Sequence, residues 1–237
     1  MSRGHWLAVF GLILVGWAAL YALALSGVPF GHPHAVLAPG LAGFATVFLM
    51  WAVMSAAMMA PTFLPALATF EELDVTDARG FYELLAGYLL VWLGFSALAA
   101  LAQIALAQSG LLPQVGPGKG QLLTAALLIV AGGYQFSALK AACLSKCRMP
   151  LTFFMQHWTG ARGNALGMGV RLGAICLGCC WALMLLGLIG GAMTLLWMGL
   201  ATLIMTLEKL PAIGRYVTPP LGLALIGAGA ILAATAF

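Results

Sequence analysis

From Gly173 to Thr206 the chain carries no charged residue, and comparable apolar stretches recur along its length. Many of these runs approach the ~20 residues that a helix needs to cross the hydrocarbon of a bilayer. Charged residues make up only 7% of the chain and apolar ones 63%, against about 25% charged in ordinary soluble domains. The sequence therefore predicts an all-α protein, a polytopic transmembrane helical bundle whose main partner is the lipid bilayer. Its 30 glycines suit helix pairs that pack closely in lipid. The net charge of +4 is spread over loop ends, which is not the footprint of a nucleic-acid-binding protein.

The chain reads as one integral membrane domain, 1–237, with no linker or shift in composition. Spans are expected at 6–26, 41–63, 81–107, 121–142, 166–188, 192–207 and 220–236, about seven, or six if the short last one crosses incompletely. The first opens like a signal peptide, but its apolar core exceeds the ~7–15 residues of such segments, so it reads as an uncleaved helix. Pro61 and Pro65 are expected to end the second. A tight Ile189-Gly190-Gly191 turn joins the fifth to the sixth, and an amphipathic piece from Leu151 to Trp158 is expected along the membrane surface. Arg3, Arg79, Lys140, Lys146, Arg148, Arg162, Lys209 and Arg215 then collect on one side, and Lys119 alone on the other. That bias places the first side, with the N-terminus, in the cytoplasm. Gln103, Tyr134 and Gln135 are expected to bond across helices. Glu83 and Glu208 are expected at wet helix ends, and Arg171 is expected to snorkel to the headgroups.

Three groups of sulfur residues stand out in this apolar background. Cys176, Cys179 and Cys180 follow an i, i+3, i+4 spacing that puts them on one helical face, and Met184 extends the stripe by a turn. Thiolate and thioether are soft ligands that select Cu(I), zinc and similar ions. The plain alternative is that buried cysteines serve as small hydrophobes. Cys143 and Cys147 form a second pair at the expected cytoplasmic end of the fourth helix, among Lys140, Lys146 and Arg148, whose charges favour thiolate. On the second helix Met50, Met54, Met58 and Met59 form a slowly turning stripe, either core packing or a weak path for a soft cation. His32 and His34 in the outer loop are a minor metal candidate. At ~1.5 Å per residue Cys176 sits ~15 Å into its helix, near the bilayer midplane.

Several of these segments together resemble a family of bacterial integral membrane proteins with predicted metal binding. The resemblance rests on Ala57-Met58-Met59-Ala60-Pro61, on Cys143-Leu144-x-x-Cys147-Arg148-x-Pro150 preceded by Lys140, and on Cys176-Leu-Gly-Cys-Cys180-Trp-Ala-Leu-Met184. Leu196-Trp197-Met198 and Glu208-Lys209-x-Pro211 follow in the same order. Some members of that family are regarded as copper chaperones that help load copper enzymes. The resemblance implies a multi-pass protein of the bacterial cytoplasmic (inner) membrane. It implies Cu(I) as the metal ahead of zinc, and transfer to a copper-dependent enzyme or a soluble copper carrier rather than catalysis. Many members have a His-Gly where this chain has Leu172-Gly173, and losing the imidazole leaves an all-sulfur, softer site. Two other readings stand beside this one: a thiol-redox membrane protein working between Cys143/Cys147 and Cys176/Cys179/Cys180, and a structural or assembly subunit of a membrane complex.

Overall fold

The computed structural model describes residues 3–25, 40–73, 78–109, 119–159, 163–188 and 195–236. The regular elements among these residues are helices. They are α1 (Arg3–Leu25), α2 (Leu41–Glu72), α3 (Ala78–Gln108), α4 (Lys119–Tyr134), α5 (Ala138–Cys147), α6 (Pro150–His157), α7 (Asn164–Leu185), α8 (Leu195–Lys209) and α9 (Gly214–Ala234). A 3-10 turn, Leu186–Leu188, extends α7. Of these, α1, α2, α3, α7 and α9 are long and apolar enough to cross a membrane, and α4 with α5 makes a sixth if that bent pair is one span. Seven were expected. α8 has 15 described residues, and residues 189–194 before it lie outside the described range. The Ile189–Gly191 turn and the His32/His34 loop lie outside the described residues.

The last helix, α9, starts at Gly214 rather than 220, runs through Pro219 and Pro220 and is long enough to cross. Two further boundary corrections shape the site. α2 does not end at 63; it runs through Pro61 and Pro65 to Glu72. A proline inside a helix removes the N–H that would bond the carbonyl four residues back. For Pro61 that carbonyl belongs to Ala57, and the indole N–H of Trp17 on α1 donates to it at 3.2 Å. A neighbouring helix thus satisfies the group that the proline orphans, as helices in an apolar medium require. The second correction concerns the expected span 121–142. It breaks at Gln135–Ser137, and the axis turns by 63° between α4 and α5. Gly132 and Gly133 weaken the helix there. Turn bonds from Gln135 N–H to the Gly132 carbonyl and from Ser137 N–H to the Tyr134 carbonyl close its end. Ser137, in an extended conformation, then caps α5 by accepting from the Lys140 N–H at 3.1 Å. The amphipathic piece expected at 151–158 is α6, with Phe153 and Phe154 buried.

α7 is the most enclosed of the membrane-length helices and packs against α3, α4 and α5. Its approach to α3 is a backbone-to-backbone contact that only glycine allows. A Cβ on Gly169 would stand 3.0 Å from the Tyr88 nitrogen, and one on Gly87 would stand 2.9 Å from the Val170 nitrogen. The physical consequence is that the polar edge of α3, Tyr88 included, lies directly over the first thiol of α7. Gly169→Ala is expected to destabilise the protein by ~1–3 kcal/mol through overpacking, read as a lower melting temperature in detergent. Gly167→Ala, two residues away with open space at its Cβ, should melt like the parent. Across the bundle, Trp51 of α2 donates to Gln103 of α3 at 2.6 Å, one of the cross-helix bonds expected of the buried polar residues.

Candidate metal centre

Helix periodicity alone brings the first three thiols together. Cys176, Cys179 and Cys180 are all buried on α7, and their sulfurs lie within 4.8 Å of one another. The Cys179 and Cys180 sulfurs are 3.3 Å apart, and the Cys179 thiol donates to the Cys176 carbonyl at 3.1 Å. An ion bound ~2.3 Å from each of three sulfurs sets those sulfurs ~4 Å apart at the corners of a triangle.

Tertiary structure adds two more thiols. The turn at Gln135–Ser137 swings α5 onto α7, so that Cys147 Sγ comes within 4.0 Å of Cys179 Sγ. Cys143 lies over Gly178, where a Cβ would stand 2.6 Å from its sulfur. The glycine of the Cys-Leu-Gly-Cys-Cys sequence is therefore what admits α5. Tyr134, ahead of the break, donates its hydroxyl to the Gly178 carbonyl and holds the two elements in register. Cys143 and Cys147 are half-buried, whereas the three α7 cysteines are buried, and all five are unpaired. The two sites that the sequence suggested as separate, one at a helix end and one at mid-membrane, meet through the Cys147–Cys179 contact, with Cys143 over the intervening Gly178.

A polar cluster surrounds Cys176. Lys209 at the end of α8 places its ammonium 3.0 Å from Cys176 Sγ and donates to the Thr62 hydroxyl at 2.6 Å. The Tyr88 hydroxyl is 3.1 Å from the same sulfur and donates to the Met59 carbonyl at 3.1 Å. Tyr88 also stacks on Phe63, with ring centroids 3.9 Å apart. A cavity of about 90 Å³ reaches this cluster and is lined by Cys147, Arg148, Leu172, Cys176 and Lys209 among others. Leu172 lines that cavity together with Cys147 and Cys176.

Three charged residues behave differently from their sequence expectation. Lys140 does not join Lys146 and Arg148 around Cys143 and Cys147. It is buried and paired with Glu208 at 2.8 Å, with Gln135 as a further acceptor. Glu208 is accordingly not a wet helix end but 1% exposed, and Arg148 donates to its carbonyl at 2.8 and 3.0 Å. Lys209, read from sequence as one more cytoplasmic charge, turns inward to the thiols. Arg171 is exposed and belongs to a different groove from the thiol cavity.

The methionines are buried: Met54, Met58 and Met59 on α2, and Met184 on α7. Met54 packs near Gly187, about one turn beyond Met184, its methyl 3.6 Å from where a Cβ would stand. Met59 touches the cluster through its backbone carbonyl. The polar neighbours of the thiols are thus Tyr88, Thr62 and Lys209, which sequence reasoning did not select. For Lys209 a signal existed in Glu208-Lys209-x-Pro211, a charged pair closing an apolar helix. For Tyr88 the only signal was a lone hydroxyl in an otherwise apolar stretch.

Fold and site together define a bundle of membrane-length helices enclosing a cysteine group able to hold a metal ion. The family model of the PpoB2 copper chaperones matches residues 48–232, a range that includes all five cysteines, the methionine stripe and Lys209. The chain belongs to this copper chaperone family. No curated protein and no solved structure matches the chain.

Proposed function

We propose that the protein holds Cu(I) as cargo within a membrane on Cys176, Cys179 and Cys180, and exchanges it through Cys147 and Cys143. The observation that carries this reading is the 4.0 Å between Cys147 and Cys179, which joins a half-buried thiol to the buried trio. Cu(I) moves along such a chain by ligand exchange, one sulfur binding as another lets go. An all-sulfur donor set favours Cu(I) over the borderline zinc ion. Three thiolates around one Cu(I) carry a net double negative charge, and the Lys209 ammonium beside Cys176 offsets part of it. Met184, with Met54, Met58 and Met59, continues the path as weaker thioether ligands. This continuation is supported by the contact of Met54 near Gly187.

The membrane setting is supported by large apolar residues such as Leu14, Leu49, Leu98 and Leu223, each more than half exposed on the outer faces of long helices. On the charge bias of the loops the N-terminus lies in the cytoplasm, and the family resemblance implies that the membrane is a bacterial inner membrane. The recipient is a copper-dependent enzyme or a soluble copper carrier, and the protein itself is not an enzyme.

Metal analysis tests the reading. Purified protein, equilibrated with a competing Cu(I) chelator, should retain close to one copper per chain. In Cys147→Ser the final stoichiometry should persist while loading from a Cu(I) donor slows ~10-fold. Loading of this variant at the parental rate would place the path elsewhere. The same 4.0 Å separation favours one second reading, a thiol-redox pair of Cys147 and Cys179. That reading calls for a gel shift on thiol alkylation that appears only after reduction.

A further inference from the structure

Apart from the thiol cavity, a groove of about 440 Å³ opens beside α6 and α7. Its polar side presents Lys146, Gln156, His157 and Arg171, and its apolar side includes Phe153 and Ile175. No carboxylate lines it, and among the described residues neither Lys146 nor Arg171 has an ion-pair partner. The His157 ring stacks on Phe153, and its Nδ1 is 2.9 Å from the Phe153 carbonyl. Arg171 is exposed on an apolar helix, and between Asn164 and Arg171 that helix rises ~10 Å. A guanidinium at such a depth reaches for the headgroup region or for an anionic partner. Lys146, exposed in the last turn of α5, brings a second cation to the same groove.

We infer that this groove binds an anionic phospholipid, with the phosphate between Arg171 and Lys146 and the first acyl methylenes on Phe153 and Ile175. Two cations without a carboxylate suit an anionic headgroup, and the apolar wall beside them suits a chain attached to it. Basic pockets between membrane helices bind lipid headgroups in this manner. Bound there, the lipid ties α6 to α7 next to the helix that carries Cys143 and Cys147. The inference rests on the membrane part of the proposed function and is independent of the copper part.

The test uses the full chain in a neutral detergent, with bound lipid counted by native mass spectrometry. Phosphatidylglycerol should be retained at least ~10-fold more strongly than phosphatidylcholine. Arg171→Gln and Lys146→Gln should each lower that retention ~10-fold, whereas Arg171→Lys should keep most of it. Arg171→Gln should also leave the copper stoichiometry and the melting temperature in lipid-free detergent unchanged, which shows that the variant is folded. Glycerol phosphate at the same concentration should not displace the lipid. Displacement by glycerol phosphate would make this a free-anion site and overturn the lipid assignment. Equal retention of the two lipids, or indifference to the Gln variants, would overturn it as well. Failure of the membrane reading shows separately, as expressed protein that stays in the supernatant without detergent after centrifugation.

Discussion

Cys176→Ser is expected to lower Cu(I) affinity at least ~100-fold, beyond the roughly 10–100-fold that follows from losing a residue outside the ligand set. The serine hydroxyl is nearly isosteric with the thiol but is a hard oxygen donor, so the change removes soft-ligand character and little packing. Cys179→Ser and Cys180→Ser should act similarly, because their sulfurs share the 4.8 Å cluster. Lys209→Met provides the informative contrast. It removes the charge 3.0 Å from Cys176 Sγ but no ligand, and it should weaken Cu(I) by ~10–100-fold while the number of copper atoms bound at saturation stays the same. Chelator competition measures both quantities. A Cys176→Ser protein that competes for Cu(I) as well as the parent would remove the central claim.

The second large effect concerns stability. Lys140 and Glu208 are each 1% exposed and pair at 2.8 Å. Removing one partner leaves a buried charge uncompensated, which costs ~3–5 kcal/mol. Lys140→Met is therefore expected to lower the melting temperature in detergent markedly, and Glu208→Gln by less, because the amide still accepts from the ammonium. The double change Lys140→Met with Glu208→Leu should recover most of the loss, since an apolar pair of similar volume often matches a buried ion pair. A single variant that melts like the parent would mean the pair is wet. Because Arg148 also bonds the Glu208 carbonyl and neighbours Cys147, this pair fixes how α5 and α8 meet at the thiol cavity.

The all-helical architecture was legible because apolar runs of membrane length report a local requirement, and α1, α2, α3, α7 and α9 fall where those runs lie. Their ends were less legible. Pro61 signals a break only if the Ala57 carbonyl is left unsatisfied, and Trp17, 40 residues away in sequence, decides that. For α8 the described helix, Leu195–Lys209, starts directly after residues outside the described range, so the run expected at 192–207 is only partly described. Topology rules count each lysine as a charge facing water, so they misplace Lys140 and Lys209, which find partners inside the bundle.

By itself the sequence determined the character of the site. Cys176, Cys179 and Cys180 must share a face on any helix, since 3.6 residues per turn is a local property of the backbone. Most of their surroundings are expected to be apolar, since 63% of the chain is apolar. Only the tertiary structure decided that Cys147 meets Cys179 and Cys143 lies over Gly178, and that Lys209 and Tyr88 stand at Cys176. Those outcomes depend on the direction the chain takes after Gln135–Ser137 and on glycines at 169 and 178 that let helices touch. Such directions come from packing between segments distant in sequence, which no local spacing encodes.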